Sequence, residues 1–289
     1  MLYPLLRGRD VQRWQATPSA WILIPRLASN PSQVISLNDM QLNYPKAYAY
    51  LKRFESNLRA RKDVMTQSAL KRGEPFYFYG AVNAYSFAPW KVVWREMAST
   101  MTAAVVGEVD GKPVVPDHKL MLVDCASELE AHYMCACLNS SVSILIAKAY
   151  AVETQMNPHI LDHIRIPRYN PADGLHRRLA ELSKEAHACA ATLHAFESLE
   201  ADLKGKAPAK VQELMQLVLE EAAKPTAPSE IQAYADWARA RQRLPEIEAE
   251  IDRLAAQLWG LTERELQAVR RALNTLTGTQ GVSDGGSDD

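Results

Sequence analysis

The chain is poor in the residues that build the commonest chemical sites. Four cysteines, Cys125, Cys135, Cys137 and Cys189, are spread over 289 residues; they lack the paired spacing of a disulfide framework, which fits a reducing compartment. Cys135-x-Cys137 has no second Cys or His pair at zinc spacing, so the two read as buried thiols. His159 and His163 stand four apart, but prolines flank them and no HExxH glutamate lies between them on a helix. His187 and His194 read as flanks of a packed helix. The 12 glycines form neither GxGxxG nor GxxxxGK[ST], so no dinucleotide or nucleoside triphosphate site is signalled. Ser140, Ser141 and Ser143 have no GxSxG setting. No apolar run approaches the roughly 18 residues that cross a bilayer, and the start has no secretory signal pattern. The expectation is a cytoplasmic chain with no membrane partner, no metal, no catalytic residue and no cofactor of its own.

What is present is average in bulk and uneven in arrangement. With 47% hydrophobic and 23% charged residues the chain reads as a soluble globular protein, long enough for one large or two ordinary domains. The formal net charge of -1 conceals a gradient. Residues 1–100 carry +8, residues 101–200 carry -5 and the remainder -4. A basic first third on an acidic remainder suggests a surface for an anionic polymer at one end.

Periodicity divides the chain in the same way. Residues 2–14 hold Pro4 and Gly8 among basic residues and read as a loop; residues 21–25 read as a strand stopped by Pro25. Asn38-Asp39 offers cap-like residues. Over residues 44–62, Tyr44, Tyr48, Leu51, Phe54 and Leu58 recur at helical spacing, with Pro45 in the first turn. Residues 73–124 contain PFYFYG, WKVVW, TAAVVGEV, KPVVP and KLMLV, read as strands of one mixed or antiparallel sheet with a turn at Asp110-Gly111. Residues 127–151 return to helix, and 164–167 read as a brief strand. Positions 175, 179, 182, 186, 189, 193 and 196 form an apolar seam long enough for a helical hairpin or short coiled coil. Breaks are expected at residues 224–228 and at Pro245, then helices at 245–259 and 262–276. Gly260 serves as the stop between them and Thr262-x-x-Glu265 as a capping box.

In the first third, cations interleave with aromatic rings. Arg7, Arg9 and Arg13 lie beside Trp14; Lys71 and Arg72 precede Phe76, Tyr77, Phe78 and Tyr79; Trp90-Lys91 and Trp94-Arg95 alternate on an expected strand. Guanidinium groups suit phosphates and guanine edges, and rings pack on sugars and bases. The competing reading puts the rings in the sheet's core and leaves the cations to solvate its exterior.

Six stretches in order, PLLRGRDVQRW, YPKAYAYLKRFESNLRARK, FAPWKVVWREM, ELEAHYMCACLNSSVSILIAKAY, IRIP and EIDRLAAQLWGLTERELQAVRRAL, resemble the C-terminal target-recognition (TaqI-like specificity) region of adenine-specific DNA methyltransferases of restriction-modification systems. That region is similar in turn to half of a type I specificity subunit. The resemblance implies a reader of duplex DNA with Arg7, Arg9, Arg13, Lys71, Arg72, Tyr77, Tyr79, Trp90, Lys91 and Arg95 as DNA-binding candidates, and Asn139-Ser140 and residues 164–167 as scaffold. The family's cofactor-binding Gly-rich motif and [ND]PP[YF] motif do not occur here: the Asn-Pro pairs are Asn30-Pro31-Ser32, Asn157-Pro158-His159 and Asn170-Pro171-Ala172. S-adenosylmethionine is therefore expected on a catalytic partner, a methyltransferase subunit or domain.

The expected architecture is α+β: a mixed, β-rich DNA target-recognition domain over 1–170, a helical association domain over 171–276 and a disordered tail over 277–289. Expected partners are duplex DNA, the methyltransferase, a nuclease subunit, and a second copy through the helices. The rival is a protein-interaction or regulatory subunit of a phage-defence complex that uses the helical segment and does not read DNA.

Overall fold

The computed structural model describes residues 1–27, 29–80, 82–150 and 155–277. Its first elements are β1 (Leu2–Leu6), β2 (Val11–Gln12), β3 (Gln15–Ala16), β4 (Ala20–Leu23), β5 (Arg26–Leu27) and β6 (Asn30–Val34). Four helices follow, α1 (Leu37–Asn43), α2 (Pro45–Lys52), α3 (Glu55–Arg59) and α4 (Val64–Lys71). The chain then returns to strands: β7 (Trp90–Arg95), β8 (Ala104–Val106), β9 (Glu108–Val109), β10 (Lys112–Pro113), β11 (Val115–Pro116) and β12 (Leu120–Cys125). The rest is helical, with α5 (Glu128–Asn139), α6 (Ser141–Tyr150), α7 (Ile160–Ile164), α8 (Gly174–Ala195), α9 (Glu197–Leu203), α10 (Pro208–Ala222), α11 (Ser229–Leu258) and α12 (Glu263–Thr277). The α+β class read from the sequence is the class observed.

The strands form several small sheets, not the single sheet expected. β7 is the centre of an antiparallel sheet in the order β12-β7-β8, and β1 is the centre of a mixed sheet in the order β11-β1-β4. β1 occupies the segment expected to be a loop. Pro4 is tolerated there because β11 joins β1 only from Leu5 onward, while Pro4 pairs with Trp21 of β4 on the other side. The Asp110-Gly111 turn between β9 and β10 is as expected: both residues have positive φ, 52° and 68°, the geometry of a tight hairpin turn.

Residues 75–80 are not a strand. Phe76 and Tyr77 turn inward with Ile35, Met40 and Leu51 to form an aromatic core, and the Tyr77 hydroxyl donates to the Ile35 carbonyl at 3.0 Å. Helices α1, α2 and α3 contribute Met40, Leu51 and Leu58 to this core. The helix expected over 44–62 breaks at Arg53-Phe54, and Phe54, placed on the apolar face by its spacing, is 41% exposed. Ser36, not Asn38 or Asp39, caps α1: its hydroxyl accepts from the Asp39 N–H at 3.1 Å. Residues 164–167 are also not a strand. Ile164 is the last residue of α7, Arg165 leaves it in the left-handed region (φ 53°), and the Pro167 carbonyl accepts the Tyr133 hydroxyl at 3.0 Å.

The largest core cluster draws Trp14 and the inner face of β7 (Val92, Trp94) together with α5, α8 and α11. The seam of α8 is taken up here: Leu179, Leu182, Ala186 and Cys189 are buried, and α8 packs chiefly against α5 and α11. The 127–151 helix is two helices, because Ser140 adopts an extended conformation and Asp252 of α11 caps the next segment through the Ser141 N–H at 2.7 Å. Pro245 does not end a helix. It lies inside the 30-residue α11. Proline removes the hydrogen bond to the Arg241 carbonyl, but Arg243–Glu185 at 2.7 Å and Arg178–Glu250 at 2.8 Å clamp α11 to α8 on both sides of it. Buried Trp237, Ala238 and Ala240 before Pro245, and Ile247, Ile251 and Ala255 after it, hold both halves in the core. The Gly260 stop (φ 70°) and the Thr262–Glu265 capping box are as expected, with the Thr262 N–H donating to Glu265 at 2.8 Å. No described helix is long and apolar enough to cross a membrane. The expected tail beyond Thr277 lies outside the described residues.

Candidate nucleic-acid interface

The β-rich part presents its cations in two places. The first is the 3-10 turn after β1. Arg7 is half-buried and its N–H donates to Asp10 at 2.8 Å, so the turn is tied down while the side chain of Arg9 stays 71% exposed, 3.8 Å from the Asp10 carboxylate. The Gly8 backbone runs beside the Lys119 stem, whose ammonium lies 3.9 Å from the Glu96 carboxylate. The second place is the end of α4. Lys71 and Arg72 are both exposed; Arg72 donates to the Ser68 hydroxyl at 2.8 Å, and the exposed ring of Tyr79 follows them.

Other predicted site residues face inward. Lys91 is 0% exposed and its ammonium donates to the Ala88 carbonyl; burial lowers its pKa to about 8, against the opposing fields of Glu108 and Asp124. Tyr77 is buried, and desolvation pushes its phenol up to about 12. Both were expected on DNA; the structure places their polar atoms against backbone carbonyls. Trp90 is half-buried across Gly107, where a Cβ would stand 2.8 Å from the ring. Arg95 donates to the Val11 carbonyl at 2.7 Å, bracing the first turn against β7. Arg13 is an internal strut: it pairs with Glu248 of α11 at 2.8 Å and donates to the Asn139 carbonyl at 2.9 Å. Beside it Trp14, at φ 63° and almost wholly buried, donates its indole N–H to Glu248 at 2.8 Å.

Arg26, Arg59 and Arg61 were not singled out by the sequence. Arg26 and Arg59 meet Arg72 around a cleft of about 750 Å³ between the β5–β6 hairpin and the α3–α4 pair. Arg61 donates to the Phe78 carbonyl at 2.6 Å and braces the aromatic core. Arg26 follows a strand with no neighbouring cation, so no local pattern marks it.

Ion pairing differs along the chain. Among the described residues, the carboxylate pairs of the first-third cations are Arg9–Asp10, Arg13–Glu248, Lys52–Glu55 and Arg59–Glu55. Arg7, Arg26, Arg61, Lys71 and Arg72 are outside that set. Among the described residues of the helical part, Arg178, Lys184, Lys224, Arg239, Arg241, Arg243 and Arg270 have carboxylate partners, whereas Arg177, Lys204, Lys206, Lys210, Arg253, Arg264 and Arg271 are in no such pair. Among the described residues the basic first third therefore pairs a smaller share of its cations with carboxylates than the helical part does. Among the described residues no group of three or more His, Cys, Asp or Glu is placed to hold a metal ion, and all four cysteines are buried free thiols.

No family model matches the chain. Over 144 residues it is 26% identical to the type II methyltransferase M.NspV of Nostoc sp., a stretch that is 49% of this chain and 28% of that protein. The chain is thus distantly similar, over about half its length, to a type II methyltransferase, and the matched stretch is little more than a quarter of that relative.

Proposed function

We propose that this chain is the part of a DNA adenine methyltransferase system that recognises duplex DNA, with the methyl-transferring motifs and S-adenosylmethionine on another polypeptide or another part of a longer one. Residues 1–170 read the duplex and residues 171–276 hold the catalytic partner, with a nuclease as a further subunit of the same system. The observation that carries this reading is the charge of Arg7, Lys71 and Arg72, unpaired with any carboxylate among the described residues, together with the exposed Arg9 side chain, on the β-rich part, beside the partial similarity to a type II methyltransferase. A base to be methylated must leave its stack, so a module that grips the flanking duplex supplies affinity and register without touching the chemistry.

The test is titration with duplex DNA at several salt concentrations. If six phosphates are neutralised, log affinity falls against log salt with a slope of about -5. Lys71→Glu with Arg72→Glu, both at exposed positions, shallows that slope by about 2 and weakens binding. A flat salt dependence with the unaltered protein refutes the proposal.

A further inference from the structure

Arg26 is a buried cation with no carboxylate paired to it among the described residues. It is 6% exposed. One terminal nitrogen donates to the Pro31 carbonyl at 2.8 Å and the other to the Tyr79 carbonyl at 2.9 Å, while the guanidinium lies 5.8 Å from the centre of the Phe78 ring. Its Nε–H is buried without a hydrogen-bond partner, and no carboxylate pairs with it among the described residues. Burial lowers its pKa, and the field of Glu74 only partly offsets this. A buried guanidinium held by neutral carbonyls alone is costly unless an anion arrives to complete it.

The cleft beside it is built to receive one. Arg26 on β5, Arg59 on α3 and Arg72 at the end of α4 line the same opening, against the single carboxylate of Glu74. Arg72 has a neutral partner, Ser68, and Arg59 is oriented by Glu55 at 2.8 Å. The Ser36 residue that caps α1 also lines the cleft. Arginines from three elements lining one cleft, with Arg59 already paired to Glu55, suit a tetrahedral oxyanion, whose oxygens can accept several planar forks at once. The floor of Phe76 and Phe78 keeps the arginine behind it poorly hydrated, which strengthens any charge it meets.

We propose that this cleft is a phosphate site, in which Arg26 Nε and the Arg72 fork bind a phosphate group with Arg59 at the rim, the phosphate being either a backbone group of DNA or a free one. The proposal stands independently of the DNA reading above, because a free phosphate satisfies the same residues.

The experiment uses the full chain labelled with nitrogen-15 in arginine, with the Arg26 Nε–H resonance assigned through bonds. Inorganic phosphate is added at constant ionic strength, with chloride as the control, and a short duplex is added separately. Phosphate is expected to shift the Arg26 resonance saturably where chloride does not, and Arg72→Gln to weaken that binding about tenfold or more, the loss of one charge-assisted hydrogen bond. If the duplex moves the same resonance, the phosphate is a backbone group. If phosphate moves it and the duplex does not, the site stands as one for free phosphate and the DNA reading loses support. A duplex that binds while neither phosphate nor the duplex moves the Arg26 resonance, with Arg72→Gln binding as the wild type does, overturns this site and leaves the DNA reading intact. Silence of the resonance to phosphate and duplex alike also overturns it.

Discussion

Replacing Asn139 by alanine tests how the β-rich part is fastened to the helices. Asn139 is the last residue of α5 and is 0% exposed. Its carboxamide imitates a strand partner: Oδ1 accepts the Ala103 N–H at 2.9 Å, and Nδ2 donates to the Ala103 carbonyl at 2.8 Å. The two losses are unequal. The Ala103 carbonyl keeps the Trp14 N–H at 3.1 Å, so losing Nδ2 costs about 1 kcal/mol. The Ala103 N–H is left buried with no acceptor, which costs about 1–3 kcal/mol. With the small cavity added, Asn139→Ala loses about 3 kcal/mol, read in urea unfolding as a lower midpoint at unchanged slope. Asn139→Asp separates hydrogen bonding from shape. A carboxyl buried there has its pKa raised above the ordinary 3.9 or so, and while protonated it donates to the Ala103 carbonyl. Its deficit against the wild type is small at about pH 4 and grows as the pH rises, since the unfolded chain releases that proton first. A loss below about 1 kcal/mol for Asn139→Ala, or an Asn139→Asp deficit that does not grow with pH, refutes the account.

Other outcomes follow from the same contacts. His187 accepts the Val105 N–H at Nε2 (2.9 Å) and His132 stands edge-on to it at 4.9 Å; burial lowers their pKa values to about 4 and about 3. Both are neutral in the folded state above the ordinary histidine value of about 6.5, so their contribution is intact there. It is lost as pH falls from about 6.5 toward 4, where the unfolded chain takes up protons and the folded one does not: thermal melts at pH 7 and pH 5 should differ by about 2–4 kcal/mol, and equal stability would count against buried neutral imidazoles. Pro245→Ala restores a donor to the Arg241 carbonyl and should stabilise α11 by about 1–2 kcal/mol after allowing for the stiffer unfolded chain of the proline form; calorimetry checks the sign. Trp14→Phe removes the indole donor to Glu248 and should cost about 1–2 kcal/mol in urea unfolding, leaving Arg13–Glu248 in place.

Local signals were reliable where neighbours along the chain decide the outcome. The Asp110-Gly111 turn, the Gly260 stop and the Thr262–Glu265 box depend on backbone conformation and on side chains within a few residues, and all are present. The signals misled where distant partners decide. Pro245 reads as a helix end until the ion pairs to α8 on both its sides are seen. The aromatic run at 76–78 reads as a strand, yet strand formation needs a partner, and the α1–α4 insertion offers these rings a core instead. The candidate site divides in the same way. Exposed Arg9, Lys71 and Arg72 were legible because basic residues beside a turn or a helix end have nowhere else to go, whereas alternation alone could not tell that Lys91 faces the interior.

By itself the sequence determined the α+β class, the division between a basic beginning and an acidic helical remainder, and the lack of any phosphate-loop or nucleophile motif. These follow from composition, period and capping, which are properties of the chain read in order. Only the tertiary structure decided which cations remain unpaired. Whether Arg13 meets DNA or Glu248 depends on a residue more than two hundred positions away, and Arg26 acquires its state, buried and with no carboxylate paired to it among the described residues, only when β5, α3 and α4 close around it. Charge is written in the sequence, but the dielectric and the partners that give it chemical meaning are set by folding.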